Sequence, residues 1–163
     1  MISWDFRYQR SQQLLSRFAE NGHRIFYLTL DLMPLDKRYL IREIQENVLE
    51  LKPSISSRFN IYKDIFSKEQ TNSLINAMDQ VKKDFNIDKA ICFVVFPAWE
   101  PVVSKLRDVY GWGIIYDCID EHTGFSNVDS SIVHREETLI KKSNLVIVTS
   151  SYLYKKIKDR VVR

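Results

Sequence analysis

Uninterrupted apolar runs are the feature that most constrains how this chain can fold. Residues 91–96 and Leu145–Val148 contain neither a charged residue nor an alternation of polar with apolar residues. A strand of this kind is typically covered on both faces, as in the centre of a parallel sheet. Segments with helical spacing follow each run, and a strand–helix–strand–helix succession implies right-handed crossovers. The sequence therefore predicts an α/β fold with a doubly wound, mainly parallel sheet and helices on both faces.

The other elements follow from periodicity, caps and turn residues. Further strands are expected at residues 24–30, 40–44, 48–51 and 114–116. Helices are expected at residues 7–21, after the capping-box pair Ser67 and Gln70, after Pro101, and at 130–142 and 152–160. The apolar stripe of the helix after Pro101 is predicted to include Val109, and that of helix 130–142 to comprise Ile132, Val133, Leu139 and Ile140.

Composition excludes several classes of protein. A chain of 163 residues with 45% hydrophobic residues, four Gly and four Pro fits one domain over 1–163, and not a collagen-like or disordered chain. The net charge of +3 is too small to indicate a nucleic-acid partner. Cys92 and Cys118 form no CxxC pair, so we expect no metal site and two reduced, buried thiols.

The location of the chain is inferred from the segments that it lacks. No basic stretch followed by an apolar one opens the sequence, so no signal peptide is predicted. The longest apolar run, residues 90–98, is about half the length that a membrane helix needs. We therefore expect a soluble, cytoplasmic protein, with the inner face of the membrane as an alternative location.

Candidate site residues follow the predicted parallel strands. Ligands of open α/β sheets bind outside the carboxyl ends of the strands, so the segments after residues 96, 116 and 148 should face one crevice. The polar and aromatic candidates in these segments are Trp99, Glu100, Asp117, Asp120, Glu121, His122 and Ser150.

The densest of these groups is Asp120, Glu121 and His122, where two carboxylates adjoin an imidazole. Such groups can position sugar hydroxyls or carry out acid–base chemistry, so these three are the catalytic candidates. For Asp117, a role in bracing a loop is an equal alternative. His23 is expected to be a basic residue placed favourably at a helix end, and His134, on a helix surface, is expected to be solvated.

The opening segment mixes aromatic side chains with two arginines ahead of a helix. Arginine near a helix N-terminus is suited to binding an anion, and an aromatic face can stack on a sugar ring. Trp4, Arg7 and Arg10 are therefore substrate-binding candidates. The alternative is a hydrophobic anchor with solvated arginines.

Three common motifs are missing from the sequence, namely GxGxxG, GxxxxGK[ST] and GxSxG. An ordered set of other motifs resembles the Rossmann-like N-terminal domain of GT-B glycosyltransferases, most closely the retaining group 1 type of family four. The motifs are Trp4-x-x-Arg7-x-Gln9-Arg10, Asn21-Gly22-His23-Arg24, Phe96-Pro97, Tyr116-Asp117-Cys118-Ile119-Asp120-Glu121 and Glu137…Ser143-Asn144-Leu145-Val146-Ile147-Val148-Thr149-Ser150.

This resemblance implies the acceptor-binding half of a transferase. The domain that binds the nucleotide sugar would be missing, the donor would be a nucleotide sugar, and no metal or cofactor would be needed in this chain. Its partners would be a sugar acceptor and the C-terminal domain of the same polypeptide, in surface polysaccharide biosynthesis. The implied cleft residues are Arg7, Arg10, Trp99, Asp120, Glu121, His122 and Ser150.

Two alternatives remain open at this point. The chain could be a non-catalytic module that binds a carbohydrate or another protein with the same α/β fold. The basic residues Lys155, Lys156 and Lys158 could make a weak peripheral contact with anionic lipid, although such runs usually face water.

Overall fold

A computed structural model describes residues 4–5, 8–30, 36–55, 59–122 and 129–161. It contains five α-helices and six strands in these ranges. The strands are β1 (Ile25–Leu28), β2 (Tyr39–Gln45), β3 (Val48–Pro53), β4 (Ile91–Val94), β5 (Gly113–Cys118) and β6 (Leu145–Val148). The helices are α1 (Arg10–Glu20), α2 (Lys68–Asp84), α3 (Glu100–Tyr110), α4 (Ser130–Lys142) and α5 (Ser151–Ile157).

The six strands form two three-stranded sheets. One has the order β4-β5-β6 and is parallel throughout. The other has the order β1-β3-β2, in which β1 runs parallel to β3 and β2 runs antiparallel to it. Asn47 turns the β2–β3 hairpin with a positive φ of 63°, a backbone conformation that Asn tolerates better than most residues. The predicted α/β class with mainly parallel strands is confirmed.

Helices cover both sides of the β1-β3-β2 sheet. Tyr27 packs with Ala19 of α1 on one side, whereas Phe26, whose side chain points the other way, meets the ring of Phe85 at the end of α2 at 5.1 Å. Alternate strand residues point to opposite faces, so α1 and α2 lie on opposite sides of β1. The predicted arrangement of helices on both faces is therefore confirmed.

The main core lies between the sheets and α2, α3 and α4. Its fully buried members include Leu51, Leu74, Ile114, Leu139 and Ile140. Tyr116 is also completely buried among them. A smaller cluster under α1 contains Trp4, Ala19, Tyr27 and Val48.

Three predictions of burial are wrong. Ile91 is 65% exposed and Leu145 is 50% exposed, although both belong to runs expected to be covered on both faces. Both strands lie at the edges of their three-stranded sheet, so each pairs with one described strand only, β5. Val109 is 49% exposed in the last turn of α3.

Several boundaries also differ from the expectation. Helix α1 begins at Arg10 rather than at residue 7, and β1 is shorter at both ends than residues 24–30. Gly22 follows α1 with a φ of 84°, as a residue closing a helix commonly has. None of the described helices combines the length and the apolar character that a membrane crossing requires.

Candidate functional site

The carboxyl ends of the three parallel strands meet, as the sequence predicts. The ring of His122, after β5, packs edge-to-face against Phe96, after β4, with 4.9 Å between centroids. The hydroxyl of Thr149, after β6, donates a hydrogen bond of 3.0 Å to the carbonyl of Ile119. The segments that follow β4, β5 and β6 therefore form one continuous surface, which we call the carboxyl edge.

Asp117 joins α1 to this surface. It is completely buried near the end of β5, and both of its oxygens accept hydrogen bonds from Arg10, at 2.9 Å from Nε and 3.1 Å from Nη2. The bond to Asp117 raises the pKa of the Arg10 guanidinium above its ordinary value. This geometry fits the bracing role that the sequence left open, and it fixes the N-terminus of α1 at the carboxyl edge.

Glu121 is held from the helix that follows β6. Its Oε2 accepts a hydrogen bond of 2.7 Å from the hydroxyl of Tyr152, and its Oε1 forms an ion pair with Lys156. Tyr152 remains 60% exposed, so its ring faces solvent next to the carboxylate. Asp120, directly before Glu121, is exposed. The carboxyl edge therefore carries the exposed carboxylate of Asp120, the fixed carboxylate of Glu121 and the aromatic ring of Tyr152.

His122 lies beneath this surface and is only 4% exposed. Burial lowers the pKa of its imidazole, while the charges of Glu136 and Asp120 oppose that shift. No described residue offers a hydrogen-bond partner to its Nε2. Burial therefore favours the neutral imidazole, whose Nε2 is enclosed beneath the surface.

Glu136 of α4 organises the buried groups around His122. It is 8% exposed, and its Oε1 accepts a hydrogen bond of 2.5 Å from the hydroxyl of Tyr116 and a weak one of 3.7 Å from Cys118 Sγ. Burial, with the Glu136 charge, raises the pKa of Tyr116 and raises that of Cys118 to about 11. Tyr116 and Cys118 are thus kept protonated as hydrogen-bond donors.

Trp99 and Glu100 are placed in the packing between helices. Trp99 is 6% exposed and its ring meets that of Phe66 at 5.1 Å. Glu100 is 2% exposed; it accepts hydrogen bonds from Ser104 at 2.6 Å and from Arg135 of α4 at 3.0 Å. Glu100 therefore links α3 to α4, whereas Trp99 packs against Phe66, which lies just before α2.

The remaining candidates are dispersed. Trp4 is 7% exposed and packs edge-to-face on Tyr27 at 4.9 Å, which fits the hydrophobic anchor considered for the opening segment. Ser150 caps α5 by accepting a hydrogen bond of 3.2 Å from the Leu153 amide. Arg7 lies outside the described residues.

An open depression of about 460 Å³ runs along the outer face of α1. Arg10 and Tyr8 are among the residues that line it, and Tyr8 is 59% exposed. The rest of its lining is Gln13, Leu14, Arg17 and Glu20. Because Arg10 also binds Asp117, this depression is linked to the carboxyl edge through one guanidinium.

Sequence reasoning missed Glu136, and it did not assign Tyr152 or Lys156 a role in the site. Glu136 stands on the apolar stripe of α4, four residues after Ile132 and three before Leu139, and a lone acid on such a stripe signals a buried contact. Tyr152 and Lys156 are four residues apart on α5, so they share a face. Within the described ranges, no group of three His, Cys, Asp or Glu residues is arranged to hold a metal ion.

Comparison with solved structures gives a similarity in fold. Neither a family model nor a curated protein matches the chain. Among solved structures, it is similar to a sucrose-phosphate synthase from Thermosynechococcus elongatus, a glycosyltransferase of GT-B fold, with a TM-score of 0.58 and 14% sequence identity. The match covers 91% of this chain and 38% of that protein. At this identity the similarity shows the fold alone.

Proposed function

We propose that this chain is the acceptor-binding half of a glycosyltransferase. The whole enzyme would transfer a sugar from a nucleotide-sugar donor to a glycan or glycoconjugate acceptor, in surface polysaccharide biosynthesis. The chain spans 38% of the length of the sucrose-phosphate synthase that it resembles in fold. The donor would therefore bind mainly to a second domain of the same polypeptide.

The observation that carries this proposal is the group of side chains at the carboxyl edge, in a fold shared with a glycosyltransferase. Ligands of open α/β sheets bind at that edge. Asp120 is exposed there beside Glu121, which Tyr152 and Lys156 hold in place. Carboxylates accept hydrogen bonds from sugar hydroxyls, and an exposed tyrosine ring can stack on the apolar face of a sugar.

We assign a distinct role to each side chain. Asp120 accepts hydrogen bonds from hydroxyls of the sugar acceptor, and Tyr152 stacks on the sugar ring. The ion pair with Lys156 fixes the Glu121 carboxylate, which accepts further hydrogen bonds from the sugar. His122 lies below the surface with its Nε2 buried, so the roles in binding belong to Asp120, Glu121 and Tyr152. These groups bind and orient the acceptor, whereas the departing nucleotide diphosphate would be stabilised by the other domain.

The test is acceptor binding by the 163-residue chain. Saturation-transfer NMR with a panel of neutral hexoses and disaccharides should detect at least one ligand with the wild type. Asp120→Asn should bind that ligand at least about tenfold more weakly, because a hydrogen bond to a charged group contributes about 1.5–3 kcal/mol. Asp159→Asn, an exposed carboxylate after α5, is the matched control and should leave binding unchanged. Equal binding by wild type and Asp120→Asn would contradict the assignment.

The alternative is a non-catalytic module that binds a carbohydrate or another protein. The engagement of both Glu121 oxygens favours it, because an ion-paired carboxylate is a poor base. A polypeptide that continues after Arg163 into a second α/β domain would distinguish the two. Loss of sugar transfer by that longer protein on Asp120→Asn would favour the enzyme, and unchanged transfer would favour the module.

A further inference from the structure

The depression along α1 is large enough to hold a ligand of its own. Its volume of about 460 Å³ lies within the range of small-molecule sites, about 300–1,000 Å³. The helical residues that line it are spaced three or four positions apart, so they form one stripe. That stripe extends from the first to the last residue of α1, over about 15 Å of helix. We call this surface the α1 groove.

The α1 groove adjoins the carboxyl edge at Arg10. The Nε and Nη2 atoms of Arg10 donate hydrogen bonds of 2.9 and 3.1 Å to Asp117, which is completely buried near the end of β5. Asp120 is the third residue after Asp117, so at most about 11 Å of extended chain separates the two. A ligand bound at Asp120 therefore needs to extend only a short distance to reach the groove.

Arg10 offers the groove hydrogen-bond donors in a fixed orientation. Only some of its guanidinium N–H groups point to Asp117. Its Nη1 donates to no residue in the described part of the chain, and the side chain is 43% exposed. Because the bonds to Asp117 already fix the plane of the guanidinium, a ligand that accepts from the remaining N–H groups immobilises little more of the side chain.

Tyr8 gives the groove an exposed aromatic ring that is anchored to the core. Its ring meets that of Trp4 edge-to-face at 6.4 Å, and Trp4 packs in turn on Tyr27 at 4.9 Å. Trp4 is 7% exposed, whereas Tyr8 is 59% exposed. Leu14, half-buried on the stripe, adds an aliphatic surface. The apolar C–H face of a sugar ring packs on surfaces of this kind.

The charges that line the groove are compensated within the protein. Arg10 is paired with Asp117. Arg17 is paired with Glu20 at 2.6 Å. An anionic ligand would compete with these carboxylates, and a cationic ligand would compete with the guanidiniums. A neutral ligand rich in hydroxyls fits better, because each hydroxyl can accept from Arg10 and Gln13 or donate to Glu20.

We propose that the α1 groove binds a neutral oligosaccharide as an extension of the acceptor site at the carboxyl edge. One sugar ring stacks on Tyr8, and hydroxyls of the chain bond to Arg10 and Gln13. The inference rests on the function proposed above and specifies its acceptor, which is the end of an uncharged glycan rather than a single sugar. The terminal sugar lies at Asp120, and the preceding units follow α1.

Titration of the isotope-labelled 163-residue chain, followed by amide NMR, tests this proposal. The probes are glucose, maltose, maltotriose and maltotetraose, with the matching mannose and N-acetylglucosamine series. In at least one series, affinity should rise about fivefold or more from the single sugar to the longest member. The amides of Gln13, Leu14 and Arg17 should shift with the longer members only. An oligogalacturonate of the same length, which carries carboxylates, should bind no more tightly than the neutral chains.

Variants locate the binding of the longer probes. Tyr8→Ala should weaken binding of the longest probe about fivefold or more and leave binding of the single sugar unchanged. Tyr154→Ala, on α5 with a similar exposure of 57%, is the matched control and should behave like the wild type. Gln13→Ala should also weaken the longest probe, at an exposed helix position where alanine preserves the fold.

The outcomes separate this proposal from the function on which it rests. Binding of a single sugar that depends on Asp120, without any gain from longer chains, would overturn the groove and leave the acceptor site intact. Equal shifts of the α1 amides in wild type and Asp120→Asn would support the groove and contradict the role of Asp120. No binding in any series, tighter binding of the oligogalacturonate, or equal effects of Tyr8→Ala and Tyr154→Ala would each overturn the groove.

Discussion

Buried carboxylates are the residues on which the candidate site depends most. Asp117 is completely buried against Arg10, and Glu136 is buried against Tyr116 and Cys118. Each accepts hydrogen bonds from an element distant in sequence, because a buried charge without a partner is unfavourable. These residues connect α1 and α4 to β5 directly below the exposed Asp120. We infer that they position the surface rather than contact a ligand on it.

The Arg10–Asp117 pair yields a stability prediction. Arg10→Ala leaves the Asp117 carboxylate buried without its two donors, and it should lower the free energy of unfolding by about 1–3 kcal/mol. Arg17→Ala is the control, since Arg17 lies on the same helix and pairs with Glu20 in solvent. That variant should leave stability unchanged within error. Urea unfolding followed by circular dichroism measures both, and equal effects would show that burial of Asp117 does not matter.

His122 should make stability depend on pH. Its pKa in the folded protein lies below the ordinary value of 6.5, mainly because of burial, so the unfolded chain binds a proton more readily. The neutral imidazole makes its full contribution to the free energy of unfolding above about pH 6.5. This contribution is lost as the pH falls towards the pKa of His122 in the folded protein. The urea concentration at the midpoint of unfolding should therefore decrease as the pH is lowered from 7.5 to 5.5.

The histidine variants separate this effect from other titrations. His122→Gln should reduce the dependence on pH over that range, whereas His134→Gln, at an exposed position on α4, should reproduce the wild-type curve. If the two variants give the same slope, another group is responsible for the pH dependence.

At the scale of single elements, features that depend only on residues close together in the sequence could be predicted. Ser67 and Gln70 form the predicted capping box of α2, with hydrogen bonds of 2.9 and 3.1 Å. The burial of β4 was not predictable, because it depends on which strand lies beside it. An apolar run has the same pattern whether its strand ends up central or at a free edge, and Ile91 shows the difference.

Removing the cap gives a direct test of α2. Ser67→Ala loses the acceptor for the Gln70 amide and should destabilise the protein by about 1 kcal/mol, or about 2–4 °C in Tm. Ser73→Ala, within the same helix, removes the same hydroxyl without removing a cap and should not lower Tm, because alanine favours the helix interior. Thermal unfolding by circular dichroism compares them. An equal loss for both would mean that the cap contributes nothing specific.

At the scale of the whole molecule, α1 connects parts that the strand pairing leaves separate. Arg10 at its N-terminus binds β5, and Phe18 and Ala19 near its end pack on β4 and β1. The sequence predicted this helix and its arginine, and predicted that polar groups would gather after β5. It could not predict that Glu121 would be tied to Lys156 or that the strands would form two sheets, because both depend on contacts between residues far apart in the chain.

This arrangement also predicts what the chain does alone. In the division of the enzyme proposed above, the carboxyl edge binds the acceptor and a second domain stabilises the departing diphosphate. The isolated 163 residues should therefore bind an acceptor yet release no nucleotide from a panel of nucleotide sugars, above a background without protein. A coupled assay for released nucleoside diphosphate, with Asp120→Asn as a second sample, measures this. Turnover that Asp120→Asn abolishes would contradict the division between two domains while still placing Asp120 at the site. Turnover that Asp120→Asn leaves intact would contradict both.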